Sequence, residues 1–479
     1  MKWNPHQAGF DEVFDGTGAP RPHYQRIVPT LDSIGENEIK RRERLQHLSL
    51  LNQGITFAVY GDDEGTERVL PFDLVPRIIP NDEWLRIEEG LIQRVTALNL
   101  FLSDVYTDQK CLKDGILPYE LILGRPEYCR ELRGILPQKN IFTHVVGTDL
   151  IRDETGRYLV LEDNCRVPSG VSYVLENRSL LQRSFPELFA QYPVQPIEGY
   201  PSMLLETLRN AAPRWGSKPR CVLLSPGMFN SAYFEHSFLA REMGIPLVEG
   251  RDLMVQNNHV YMRTTEGNQP VDVIYRRIDD EFLDPLAFRR DSQLGVPGLI
   301  NSYREGNVSI INAPGAGIAD NKAVYAYVPD LIRYYLGEDA LIEQVQTYLG
   351  FRPDDFKFMV ENLDKLVVKT TGDAGGYGML VGPFASSEER GEYRKKMESD
   401  PGNYIGQPLV ELSCHPTYID RELRPRRVDL RPFILYGDRI RVLPGGLTRV
   451  ALVEGSYVVV NSSQGGGSKD TWVLGSRAT

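Results

Sequence analysis

Apolar side chains recur along this chain with two different periods, and the change from one to the other divides it. Trp84, Leu91, Val95, Leu98, Leu102 and Val105 return at helical spacing. Pro80 precedes them and Asn81 or Asp82 can cap the run, which predicts one long helix over Asn81–Tyr106. Upstream, Ile34–Leu51 predicts a charged helix whose Arg41, Arg42 and Arg44 form a solvated face. From Ile141 the period shortens to two. Phe142–Ile151 and Tyr158–Asn164 are rich in β-branched and aromatic residues and flank the turn sequence Asp153-Glu154-Thr155-Gly156, a β-hairpin signal. Another helical stretch follows Pro168-Ser169-Gly170. Arg220–Leu224, a helix over Ser231–Met243 and Ile245–Val248 make a strand–helix–strand unit, hence a parallel sheet. Val271–Arg277 is a further strand. Ile310–Asn312 runs through Ala313-Pro314-Gly315-Ala316-Gly317 to a helix start near Asp320. After it, short strands alternate with glycine-rich loops: Leu366–Lys369, Met379–Val381, Leu409–Leu412, Val428–Leu435, Val450–Val453 and Tyr457–Val460.

Charge narrows the partners. With 54 basic and 65 acidic residues in 479, the net charge is −11. An acidic surface argues against a general nucleic-acid or anionic-membrane binder, because phosphate backbones call for basic patches. No run of about 18 apolar residues is present, so no membrane span is expected. Met1–Asp11 is polar and contains Pro5, unlike a secretory leader. The five cysteines include no C-x-x-C pair, so neither a disulfide framework nor a zinc site is indicated. A cytoplasmic protein acting on small molecules is the expectation.

The hairpin carries the strongest chemistry. With a Glu154–Arg157 loop, Asp153 faces Tyr158 and Asp149 faces Glu162. Directly opposed side chains lie about 4.5–5.5 Å apart at Cβ, and like charges there repel. Asn164, two residues past Glu162, points from the same face. Oxygen donors from Asp149, Glu162 and Asn164 suit Mg²⁺, with Mn²⁺ as a substitute; a solvated hairpin with scattered acids is the alternative. A second feature is Lys369-Thr370-Thr371-Gly372-Asp373-Ala374-Gly375-Gly376-Tyr377-Gly378, where a strand ends on a lysine and a glycine loop follows. Backbone N–H groups of such a loop can cradle an anion that the lysine neutralises. It is not a Walker A loop, and neither is Ser462–Asp470, where Ser468 separates Gly467 from Lys469. Gly315 and Gly317 lead to Lys322, either an anion site at a helix start or a plain strand-to-helix turn. Arg276 and Arg277 end a strand and could hold a carboxylate or phosphate, or pair with Asp279 and Asp280. Cys414 and His415 are adjacent and point to opposite faces of a strand, which disfavours a catalytic dyad.

Taken together, Leu161–Gly170, Tyr275–Asp280, Ala319–Lys322, Asp429–Phe433 and Asn461–Leu474 resemble the circularly permuted ATP-grasp proteins of the glutathionylspermidine-synthase-like group. The resemblance runs from about Phe72 to Leu474. It implies an α+β / α/β chain in four parts: a helical lead-in over 1–140, a metal-bearing hairpin over 141–212, a Rossmann-like unit over 213–312 and a nucleotide-binding part over 313–479. It implies ATP and Mg²⁺ as cofactors, with metal ligands on Asp149, Glu162 and Asn164. The phosphate-binding lysine and loop fall on Lys369, Gly375, Gly376 and Gly378, with Lys322 also toward the nucleotide. A hinge beside adenine falls on Leu409–Leu412, near Glu411. The group carries an arginine two residues before its metal aspartate; here that position is Gly147, so Arg166, Arg276, Arg277 or Arg431 is expected to supply the positive charge. The activity implied is ATP-dependent ligation of a carboxylate to an amine through an acyl phosphate, on an amino acid or peptide. An ATP-dependent kinase and a non-catalytic ATP-binding protein are the alternatives.

Overall fold

A computed structural model describes residues 3, 9–58, 67–69, 71–213, 218–372, 378–419, 422–452 and 466–476. The long helix spans Asn81–Tyr106, as the apolar stripe predicts. Its stripe is buried in the main core against Val146, Leu150 and Val160 of the hairpin and Val222, Ile274 and Ile310 of a parallel sheet. The charged helix spans Glu36–Asn52, with Arg41 and Arg42 both paired to Glu38.

Four sheets frame the region of interest. The hairpin strands, Val145–Arg152 and Tyr158–Asn164, form one side of an antiparallel sheet completed by Phe433–Tyr436 and Ile440–Val442. The expected parallel unit is present in the order Ser309–Ile311, Val273–Arg276, Cys221–Leu224, Leu247–Val248, with the helix Tyr233–Met243 as crossover. A third sheet holds Leu366–Thr370 between Tyr404–Pro408 and Leu380–Val381, with Tyr348–Leu349 at its edge. In the fourth, Gly467–Val473 lies parallel to Phe72–Ile79 and antiparallel to Thr448–Val450.

Several expected strands are shorter or displaced. Leu409–Leu412 is no strand; it links Tyr404–Pro408 to Cys414–Ile419 and packs Val410 and Leu412 on Ile151, Leu159 and Val345. Val428–Leu435 is broken at Pro432, which has no N–H to give a ladder; regular pairing starts at Phe433, and Val428, Leu430 and Arg431 make isolated bridges. Val271–Arg277 divides into Gly267–Val271 in a small antiparallel sheet and Val273–Arg276 in the parallel one. The helix expected near Asp320 is a 3-10 turn, Ala316–Asp320, followed by a single helical turn, Lys322–Tyr325. Val450–Val453 gives way to Thr448–Val450. The strand expected over Tyr457–Val460 lies outside the described residues.

The hairpin is tied to its neighbours by buried polar side chains. Asn312, at the end of a parallel strand, accepts the N–H groups of His144 and Val145 and donates to the carbonyls of Val145 and Cys165, so one amide holds the start of one strand and the end of the other. Arg94 of the long helix forks onto Asp163 at 2.7–3.0 Å. Asp163 thereby takes the face opposite Glu162 and Asn164.

At the far end, buried Glu12 joins Arg77 at 2.6 Å, Arg152 at 3.1 Å and the Ser413 hydroxyl at 2.6 Å. Burial raises its pKa, but the two guanidiniums and the hydroxyl outweigh burial and bring it down to about 2 from an ordinary 4.5. A depressed carboxyl contributes stability above its unfolded pKa and loses that contribution as pH falls through its folded one. The Glu12 contribution should therefore be complete above about pH 4.5 and gone by about pH 2. Urea unfolding of wild type and Glu12→Gln should differ by about 3–5 kcal/mol at pH 7 and converge toward pH 2. A difference unchanged across that range would rule the ion pairs out as its source.

Candidate functional site

The hairpin turn is five residues long. Asp153 accepts the amides of Thr155 and Arg157 and the Thr155 hydroxyl, while Gly156 has φ +89°. The Phe10 ring would stand 2.5 Å from a Cβ at Gly156, so only glycine fits there. This turn pairs Arg152, not Asp153, with Tyr158. The register is thus one residue off near the turn. A β-bulge between Asp149 and Leu150 then restores it, leaving Leu161 unpaired, and Asp149 stands opposite Glu162 and Gly147 opposite Asn164. Bulges re-aim side chains in this way. Without the bulge Asp149 would face Leu161.

The two opposed carboxylates are held apart by arginine. Arg431 donates from Nε and Nη2 to the two oxygens of Asp149, the latter at 2.8 Å, and its Nη2 is 3.8 Å from Glu162 Oε1. Arg449 donates to Asp149 Oδ2 at 2.7 Å and forks onto Asp429 at 2.6–3.0 Å. Burial raises the Asp149 pKa, but these two guanidiniums outweigh it and hold the carboxyl well below the usual carboxylate range. Glu162 keeps about a third of its side chain exposed. Asn164 Nδ2 is buried with no hydrogen-bond partner among the described residues.

Lys369 enters from the third sheet. Its Nζ donates to Gln407 Oε1 at 3.0 Å, and Gln407 in turn donates to Thr347. Its pKa is lowered, first by burial and also by Lys322, against the raising influence of Glu162 and Asp149. The ammonium therefore shares one electrostatic neighbourhood with both hairpin carboxylates and with Lys322. Lys322 is brought there by Asn321, whose side chain caps the helical turn, and by a bond from its own N–H to the Thr371 carbonyl.

The four arginines separate. Arg431 alone reaches Asp149, and the reason is Gly147. A Cβ at Gly147 would lie 3.3 Å from Arg431 Cδ and 3.2 Å from Pro168 Cβ, so the glycine leaves the corridor the Arg431 stem runs through. Arg277 is buried on the Pro168 carbonyl, the Ser169 hydroxyl and Glu235. It braces the loop whose Ser169 carbonyl also accepts from Arg431 at 3.3 Å. Arg276 is fully buried on the carbonyls of Asn312, Ile278 and Ala313 and on Asp280, which engages four of its five N–H donors. Arg166 faces Asp279 at 3.3 Å and Asp320 at 3.9 Å. The Gly315 amide, a possible anion donor, is taken by Asp280. Glu411 pairs with Arg427 at 2.8 Å on the link between the third sheet and Cys414–Ile419. Gly378 has φ +69° and its carbonyl accepts the Tyr393 hydroxyl. Gly375, Gly376 and Ser462–Gly465 lie outside the described residues. Cys414 and His415 form no pair: His415 bonds Tyr24 and the Pro416 carbonyl.

Arg449 and Asn312 escaped the sequence reading. Arg449 had a signal: it sits in the apolar run Leu447–Ala451, and a charge buried in such a strand needs a partner. Asn312 had none, because its partners are 146–168 residues away.

The donor set fits a hard divalent cation. Asp149 and Glu162 offer carboxylate oxygens and Asn164 an amide oxygen, and the one neighbouring thiol, buried Cys165, follows Asn164 on the alternate side of the chain. Among the described residues no group of three or more His, Cys, Asp or Glu is placed to hold a metal. No described helix is long and apolar enough to cross a membrane.

A solved structure of a glutathione synthetase-like effector from Globodera pallida, in its apo form, superposes with a TM-score of 0.59, at 13% identity, over 92% of this chain and 98% of its own. An uncharacterized protein of Synechocystis sp. is 52% identical over 466 residues, 97% of either chain. A protein of Frankia casuarinae named "Putative glutamate–cysteine ligase 2-2" is 42% identical over 97% of this chain, which spans about half (54%) of its length. The family model for circularly permuted ATP-grasp type 2 matches residues 76–451, and the chain belongs to that family.

Proposed function

We propose that the protein is an ATP-dependent carboxylate–amine ligase acting on an amino acid or peptide and releasing ADP. The observation that carries this is the pairing of Asp149 with Glu162 on one sheet, within electrostatic reach of Lys369 from another, in a chain of the ATP-grasp family. The name of the Frankia relative supports an amino-acid substrate.

A carboxylate is a poor electrophile, and phosphorylation by ATP gives an acyl phosphate that an amine can attack with loss of phosphate. Asp149, Glu162 and Asn164 would hold Mg²⁺, which when bound offsets charge on the β- and γ-phosphates. Lys369, partly buried and positioned by Gln407, places a second positive charge on the transferring phosphoryl group. Lys322 adds a third from the neighbouring turn. Arg431, at the floor beside Ser169, is the arginine whose charge replaces the one absent at Gly147. The side chains bind and orient; none is asked to be a nucleophile.

The test is incubation with ATP, Mg²⁺ and pooled amino acids and peptides, following ADP and product mass. Amine-dependent ADP with a product equal to the two substrates less water is expected. A product heavier by a phosphate alone would make the protein a kinase, and nucleotide binding with no turnover across a broad pool would make it a non-catalytic binder.

A further inference from the structure

The bonds around Asp149 set a condition on how the site fills. Its Oδ2 accepts from both Arg431 and Arg449, and its Oδ1 from Arg431. Arg431 Nη2 also leans toward Glu162 at 3.8 Å, so one guanidinium lies across the gap between the two opposed carboxylates. A divalent ion bound by both carboxylates needs that same space. The local carboxylates are already more than matched: Asp149, Glu162 and Asp429 face Arg431, Arg449 and Lys369, with Lys322 beside Lys369. A bare dication therefore gains little there, whereas a dication arriving with a triphosphate brings its own negative charge.

The two arginines are not equally tied down. Arg449 is forked onto Asp429 and almost wholly buried. Among the described residues Arg431 has Asp149, the distant Glu162 and one long bond to the Ser169 carbonyl, and its stem runs in the space beside Gly147. Resting on the ligase reading above, we infer that Arg431 is a built-in counter-ion that competes with the divalent cation for Asp149 and Glu162 and is drawn off them by the triphosphate, so that metal and nucleotide bind together or hardly at all. Arg449 stays behind and keeps Asp149 ionised and oriented.

The test uses the full chain and Mn²⁺, with free ion followed by electron paramagnetic resonance, in the presence and absence of a non-hydrolysable ATP analogue. Removing the guanidinium should act with opposite signs in the two conditions. Arg431→Gln should bind Mn²⁺ alone about tenfold or more tighter than wild type, and the Mn²⁺–analogue complex about tenfold or more weaker. Arg431→Lys keeps the charge but not the fork, and should fall between wild type and Arg431→Gln; it carries the test if Arg431→Gln does not fold. If wild type binds the Mn²⁺–analogue complex while loss of the guanidinium weakens Mn²⁺ alone or leaves it unchanged, Arg431 is no competitor and the inference fails while the ligase reading stands. If wild type binds neither Mn²⁺ nor the analogue under any condition, the nucleotide reading fails and takes this inference with it.

Discussion

Glu162→Gln should cut ADP release at saturating Mg²⁺ and ATP by about a hundredfold or more and leave the melting temperature within about 2 °C of wild type. Metal charge stabilisation is worth several kcal/mol, and each 1.36 kcal/mol is tenfold in rate. The fold has little at stake in this side chain. Glu162 is about a third exposed, and its nearest charge contact is Arg431 at 3.8 Å; surface changes of this kind stay within about 0.5 kcal/mol. Asp149 is a poorer place for the same experiment. It is buried against two arginines, and removing one partner of such a group costs about 3–5 kcal/mol. Lost activity in Asp149→Asn would mix metal loss with unfolding. Unchanged turnover in Glu162→Gln would remove the hairpin from the chemistry.

Lys369→Met should weaken ATP binding about ten- to a hundredfold, the worth of a charge-assisted hydrogen bond of about 1.5–3 kcal/mol, measured by calorimetric titration. Stability should barely fall. Burial and Lys322 together outweigh the attraction of Glu162 and Asp149 for the ammonium, and its hydrogen bond among the described residues is to a neutral amide, so an apolar side chain there costs the fold little. A drop in melting temperature with unaltered ATP affinity would assign Lys369 to the fold instead.

Local pattern carried much of this architecture. The long helix, the hairpin and the strand–helix–strand unit follow from periods of 3.6 and 2 and from turn residues, all short-range signals. The Asp149–Glu162 pairing follows too, though for an incomplete reason: the turn is one residue longer than a simple hairpin count gives, and the bulge at Leu161 cancels the error. Hydrophobic alternation does not announce such a bulge. The arginines were less legible because their sequence neighbours do not choose their partners. Arg276 and Arg277 look like a ligand-binding pair at a strand end, yet successive residues point to opposite faces. One goes to backbone carbonyls and the other to Glu235 and the Ser169 loop. Arg431 is marked out by a glycine 284 positions earlier, whose missing Cβ makes its corridor. That relation exists only once Phe433 is paired with Gly147.

The account stands on Asp149, Glu162 and Asn164 forming one cation site that Lys369 also lines. Crystals grown with Mn²⁺ and a non-hydrolysable ATP analogue, with data collected at the manganese edge, test this most directly. An anomalous peak bounded by those three side chains, with the analogue's terminal phosphate between it and Lys369, is the predicted result. A peak elsewhere, or a nucleotide whose phosphates lie away from Lys369, would contradict it.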